Sequence, residues 1–245
     1  VNYSQIVSAL SSLTGIDSAD ADFLAILPSA SAYADGRIYR ELDMLVANVR
    51  DASASTTASS RDFNLPTSVG TFLVIDGINI ITPASTAPGS GTRNLLQPVA
   101  RDFLDMCWPN TSNGGVPQYF AYISQNTYLT GGAAQSQVVF GPWPDDTYRV
   151  EVIGKIQPAV LSASNANTYL TDQMSDLYIA ACMIFLAGYM KNYGSQADDP
   201  KQSQSWEMQY TQLRDSASTW EARKRWSGAS WTSKQVEPTA VPQRG

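Results

Sequence analysis

The 245-residue chain contains no histidine. That removes the side chain that most often serves as general base, triad member or zinc ligand. Cysteine is nearly absent too. Cys107 and Cys182 stand far apart, in LDMCW and AACMIF, so there is no CxxC pair and no disulfide framework. Both thiols are expected to be buried in helices as small hydrophobes. Long apolar runs are missing as well. The longest uncharged one, Leu177 to Met190, has 14 residues, too short to span a bilayer and typical of a buried helix. The N-terminus lacks the basic start and apolar core of a signal peptide, so a soluble, unexported chain with no membrane partner is expected. Charged residues make up only 16%, little for a surface that keeps itself in solution alone. Such a surface suits a protein largely covered by partners, and it also suits many secreted proteins.

The charge that is present is uneven. The formal net charge is -6, which disfavours electrostatic binding of nucleic acid by the chain as a whole. Residues 1–171 hold 8 basic and 14 acidic side chains, whereas 172–245 hold 8 of each. From Arg223 onward, Arg223, Lys224, Arg225, Lys234 and Arg244 face only Glu237, a locally basic tail on an acidic body.

Hydrophobic periodicity divides the chain into helical ends and a β-rich middle. Ile6, Val7, Leu10 and Leu13 mark a first helix ending near Gly15. Asp17, Asp20 and Asp22 form the acidic start of a second, and a third is expected from Ser29 to about Val46. Asp51 to Ser60 reads as a linker or edge strand. In TFLVIDGINIITP, two β-branched runs flank Asp76-Gly77, the pattern of a tight hairpin. VVFGPWPDDTYRVEVIGKI predicts another hairpin with Trp143 at its tip, and 83–93 predicts a flexible loop. A short helix is expected over Val99 to Cys107. Near the C-terminus, a helix capped by Thr171 or Asp172 runs to Tyr193. A further one, from about Pro200 to Trp226, carries Trp206, Tyr210, Leu213, Ala217 and Trp220 as an apolar seam. The fold class is α+β. A helical bundle is formed by the N- and C-terminal helices (1–50 and 161–227), with a β-rich inserted domain (51–160) and an extended C-terminal tail (228–245).

No constellation carries chemistry. The Gly-Gly pairs at 114 and 131 lack the pattern and lysine of a phosphate loop. Asp17, Asp20 and Asp22 lack the glycine and distal glutamate of a calcium loop. Asp145 and Asp146 sit in a Pro-rich turn, where side-chain turn bonds explain them better than half of a hydrolase pair. No catalytic residue, cofactor or metal is therefore assigned, and the chain is expected not to be an enzyme. The one cluster with interaction character is Trp220, Arg223, Lys224, Arg225, Trp226 and Trp231. Arginine and tryptophan are common protein-interface anchors. Basic residues interleaved with aromatics also suit single-stranded nucleic acid, and cations at a helix end are favoured by its dipole.

The segments RDFNLP (61–66), YRVEVIGKIQPAVLSASNANTYLTDQMSDLYIAACMIFLAGYMKN (148–192) and WEMQYTQLRDSASTWEARKRW (206–226) resemble the head-to-tail adaptor (connector) proteins of tailed bacteriophages. The resemblance covers roughly residues 60 to 226 and rests on packing patterns. It implies a structural virion protein, assembled in the host cytoplasm, that forms a ring of twelve copies between the portal protein and the tail or nozzle protein. DNA would pass through without sequence-specific binding. It makes Glu221, Arg223, Lys224, Arg225, Trp226 and Trp231 portal-docking candidates. Trp143, Asp145, Asp146 and Arg93 become candidates for contact with a neighbour or the tail. The alternative is a phage tail or receptor-binding component that stacks Trp143 and nearby tyrosines on host glycans.

Overall fold

The computed structural model describes residues 1–127, 135–189 and 201–228. In chain order the elements are α1 (Tyr3–Thr14), α2 (Ala21–Glu41), β1 (Asn48–Asp51), β2 (Asp62–Asn64), β3 (Thr71–Thr82), β4 (Thr92–Leu95), β5 (Gln97–Pro98) and α3 (Arg101–Cys107). Then follow β6 (Gly114–Gly115), β7 (Tyr119–Thr127), β8 (Gln135–Gly141), β9 (Trp143–Pro144), β10 (Arg149–Gln157), α4 (Tyr169–Gln173), α5 (Ser175–Tyr189) and α6 (Lys201–Gly228). The fold is α+β. It divides into two compact units, one from Val1–Val46 with the described residues after Pro158, the other from the described residues between Ala47 and Pro158.

In the helical unit, Asn2 caps α1 through a reciprocal bond with Gln5, and Gly15 ends it in the left-handed conformation at φ 70°. Asp20 accepts from the Phe23 amide and starts α2. The two helices expected across this stretch are one, because α2 runs on through Pro28. An interior proline costs roughly 3 kcal/mol. Continuity places Phe23, Leu27, Ala30, Ala34 and Ile38 on one buried face, and burial of the large side chains alone is worth about 1.5–3 kcal/mol each. The helix that was expected to reach Val46 stops at Glu41.

α5 is the centre of this unit. Leu177, Tyr178, Ala180, Ala181, Cys182, Met183 and Leu186 are all buried, so it is apolar nearly all round, as a central helix must be. Alanines on α2 and α5 let their backbones approach closely, and the Cys182 thiol reaches the Ala30 carbonyl at 3.9 Å. α6 contributes Tyr210, fully buried, with Trp206, Leu213 and Ala217 packed beside it. A polar clasp ties α2 to α6. Arg37 pairs with Glu41 and Glu207 and lies 4.2 Å above the Tyr210 ring. The Tyr210 hydroxyl donates to Glu41 at 3.1 Å.

The β unit has sheets ordered β1-β10-β3-β4 and β2-β8-β7-β5, with a two-stranded piece β6-β9. Phe72, Ile78, Ile80, Val150 and Val152 from the first sheet meet Phe63, Phe120, Val138 and Phe140 from the second in one core. Both expected hairpins are overturned. Asp76-Gly77 is no turn: β3 continues through it, with Gly77 opposite Ile153 and Ile75 opposite Gly154, so Asp76 is the extra residue of a bulge. The bulge brings the strands so close that a Cβ on Gly154 would stand 2.1 Å from the Val74 carbonyl oxygen. Likewise β8 and β10 do not pair with each other but lie in different sheets. The turn-rich stretch between them is a crossing between the two layers. It lets Val138 and Phe140 bury in one sheet while Val150 and Val152 bury in the other. Of the two thiols, Cys182 is buried as expected, whereas Cys107 is exposed at the end of α3. The seven-residue α3 turns only Leu104 fully inward.

One buried carboxyl in the helical unit generates a pH prediction. Asp35 sits among core side chains of α2, and burial pushes its pKa up to about 6, only partly offset by the Leu161 amide. Between roughly pH 4 and 6 the unfolded chain has lost the proton that the folded chain keeps, so stability falls as pH rises through this window. Asp35→Asn should remove that slope and stabilise the protein above pH 6 by up to a few kcal/mol. Urea midpoints of both proteins across the window check this. Parallel curves would refute it.

Candidate functional site

The last turns of α6 carry three basic residues and two tryptophans, and the geometry sorts them. Glu221 is buried. Its Oε2 accepts from the Leu45 amide at 3.0 Å, and its Oε1 accepts from the Tyr169 hydroxyl at 3.0 Å and Lys224 Nζ at 2.7 Å. Burial alone would raise this carboxyl, but those hydrogen bonds outweigh it and hold it below the usual carboxylate range. Lys224 also donates to Tyr169 and lies 5.4 Å from the Trp220 ring centre. Arg225 donates to the Asp43 carbonyl and pairs with its carboxylate at 2.6 Å. Lys224 and Arg225 therefore serve the protein's own fold, and Arg223 stands exposed.

The aromatics do the opposite. Trp226 is 81% exposed and Trp220 53%. Trp226 borders a hollow of about 270 Å³ lined also by Leu42, Ser218, Ala222 and Arg225. Leu45 and Val46, at the end of the same unit's N-terminal segment, are exposed as well. Exposed Trp226 beside the hollow, with Trp220, Leu45 and Val46 exposed on the same unit, is a composition that suits contact with another protein. Among the described residues, no group of three His, Cys, Asp or Glu side chains can hold a metal ion.

Residues 1–234 match the family model of the SU10 adaptor protein. The chain belongs to that family. It is thus a bacteriophage structural adaptor and a virion component, the class to which the sequence resemblance points. A search of curated proteins found no match. Among the described residues, no helix of the adaptor is long and apolar enough to cross a membrane.

The other candidate residues of the adaptor lie in the β unit. Trp143 is not an exposed hairpin tip. It belongs to β9, pairs with Gly114, and is half-buried. Its indole N–H donates to the Trp108 carbonyl at 2.9 Å, and the Arg61 guanidinium lies 5.3 Å from its ring centre. Asp145 accepts from the Tyr148 hydroxyl at 2.7 Å, and Asp146 accepts from the Thr147 amide at 2.6 Å. Both carboxylates shape the turn. Arg93 binds the buried Glu151 through Nε, at 3.0 and 3.1 Å. Trp231 and the rest of the tail lie outside the described residues.

Sequence reasoning passed over several residues. Leu45, expected to face inward on a helix, and Val46, its expected end, are both exposed. Phe103 and Met106, both exposed on α3, were visible as an apolar i,i+3 pair on a short helix. Glu151 and Arg50 were hidden by strand alternation, which places charged residues on an outer face without showing that they converge.

The sorting at the end of α6 separates two variants. Glu221→Ala leaves the Leu45 amide and Tyr169 hydroxyl without their partner and should cost about 2–4 kcal/mol of stability. Trp226→Ala should leave stability within about 0.5 kcal/mol. Denaturant titrations of the two proteins measure this. Equal costs would show that the helix end is not divided into an anchored and a presenting side.

Proposed function

We propose that this adaptor forms a ring between the portal and the tail or nozzle and that the ring surrounds the DNA exit channel. The observation that carries the reading is the helix end of a family member, where cations are spent internally and Trp220 and Trp226 face outward. Trp226 and the residues after it, Trp231 included, dock on the portal, with Arg223 as a rim charge. In this reading Glu221, Lys224 and Arg225 act indirectly, by fixing the direction in which the indoles point. Residues 1–50 and 161–227 form a helical bundle that makes the ring wall, residues 51–160 are a β-rich insertion turned to neighbours or the tail, and 228–245 is the docking tail. Twelve copies would match the resemblance. A net charge of -6 repeated around a channel repels phosphates, which lets DNA slide.

The glycan-binding alternative has less support. Sugar stacking needs an open indole face, and Trp143 is half-buried with its N–H already satisfied and Arg61 over its ring.

Native mass spectrometry of the purified chain, alone and with the portal protein of the same phage, tests the reading. A monomer of 26.6 kDa alone that becomes multi-copy on the portal is expected. Deleting residues 227–245 should abolish capture without altering the thermal unfolding of the described part. Undiminished capture by the truncated chain overturns the docking role of the tail.

A further inference from the structure

The first sheet of the β unit turns one face to the apolar core. Val150, Val152 and Ile156 of β10 turn to the core, so Arg149, Glu151, Ile153 and Lys155 alternate onto the opposite side. The register places Asn79 opposite Glu151, Arg50 opposite Ile153, and Leu95 opposite Asn79, all on that same outer face. Glu151 is nonetheless buried, because its neighbours close over it. Arg93 reaches it from β4, Arg50 from β1 with Nε at 3.8 Å, and Asn79 Nδ2 donates at 3.0 Å.

A guanidinium has five donors in a planar fork. Both arginines turn Nε toward Glu151, and among the described residues no hydrogen bond engages their Nη groups. One buried carboxylate thus steadies two arginines whose outer edges are free for a further oxyanion. Beside them on the same face stand Leu95, 61% exposed, and Val74, 49% exposed. Arginine interleaved with exposed aliphatic side chains is the composition of a protein interface. A track for DNA phosphates would need a run of cations without a carboxylate at its centre.

We infer that this sheet face receives the α1–α2 corner of a second copy of the chain. The corner carries Asp17, Asp20 and Asp22, all exposed, and no lysine or arginine occurs anywhere before Arg37. Exposed Leu13 and Leu24 flank the three carboxylates, so the corner offers the acid-plus-aliphatic counterpart of the arginine-plus-aliphatic face. Two different patches meeting head to tail make a heterologous contact, the kind that repeats in one direction and closes into a ring. The inference rests on the ring reading above and names the surfaces by which neighbours in that ring meet.

The test uses the full chain assembled on the portal protein, with copies per portal counted by native mass spectrometry. Arg50→Glu leaves the Arg93 pair intact, and Asp17→Arg with Asp22→Arg spares the Asp20 cap. Each variant should raise the concentration for half-assembly by about tenfold, equivalent to ~1.4 kcal/mol. The chain carrying all three changes should recover most of that loss, which a misfolded protein would not. Wild-type assembly with unchanged midpoints in both variants overturns the surface and leaves the ring standing. A wild-type chain that never becomes multi-copy overturns both. Salt-dependent binding of a random DNA duplex that Arg50→Glu abolishes, with assembly unchanged, would reassign the face to DNA.

Discussion

A single buried carboxylate decides what the end of the longest helix can present. Glu221 joins α6 to the backbone at Leu45 and to Tyr169 at the start of α4, so three parts of the helical unit meet at one side chain. A charge taken out of water is tolerated only when donors replace the lost solvation, and here an amide, a hydroxyl and an ammonium do so. The cost of burial is what makes the geometry strict. With the carboxylate fixed, Lys224 and Arg225 have partners at their own ends, and the tryptophans are the side chains left over.

The same arrangement recurs in the β unit with the charge pattern turned around the other way. Glu151 is also a buried carboxylate, but its satisfying groups are arginines that remain open to solvent on one edge. At Glu221 the cations close a site. At Glu151 they stay exposed. In a chain with only 16% charged residues, Glu151 and Glu221 are buried carboxylates that each hold a cation in place.

Much of the fold was legible in the chain. The helical periods of α1, α5 and α6, the β texture between them and the apolar seam from Trp206 to Ala217 all follow from spacing alone. Local turn chemistry misled in two places. Asp76-Gly77 and the Gly-Pro-Trp-Pro stretch have turn residues, but long-range pairing in two different sheets used the first as a bulge and the second as a crossing. The helix start expected at Ser29 is absent, because propensity sees the hydrogen bond lost at Pro28 and not the core face that α2 gains by continuing. At the end of α6 the sequence shows basic residues interleaved with tryptophans. It could not tell inward from outward, because Glu221 reaches partners up to 176 positions away along the chain.

The division of the chain has a consequence for how the protein is born. α2 packs on α5 and α6, and the ribosome must make the whole stretch from Ala47 to Pro158 between them. At translation rates of about 5–20 residues per second, α1 and α2 wait on the order of ten seconds with their apolar stripes uncovered. Among the described residues, the strands of the β unit pair only with one another, so their pairing has no such delay. The β unit can fold while the first helices are still without the rest of their core, and by folding it shortens the loop that must close to bring α5 to them.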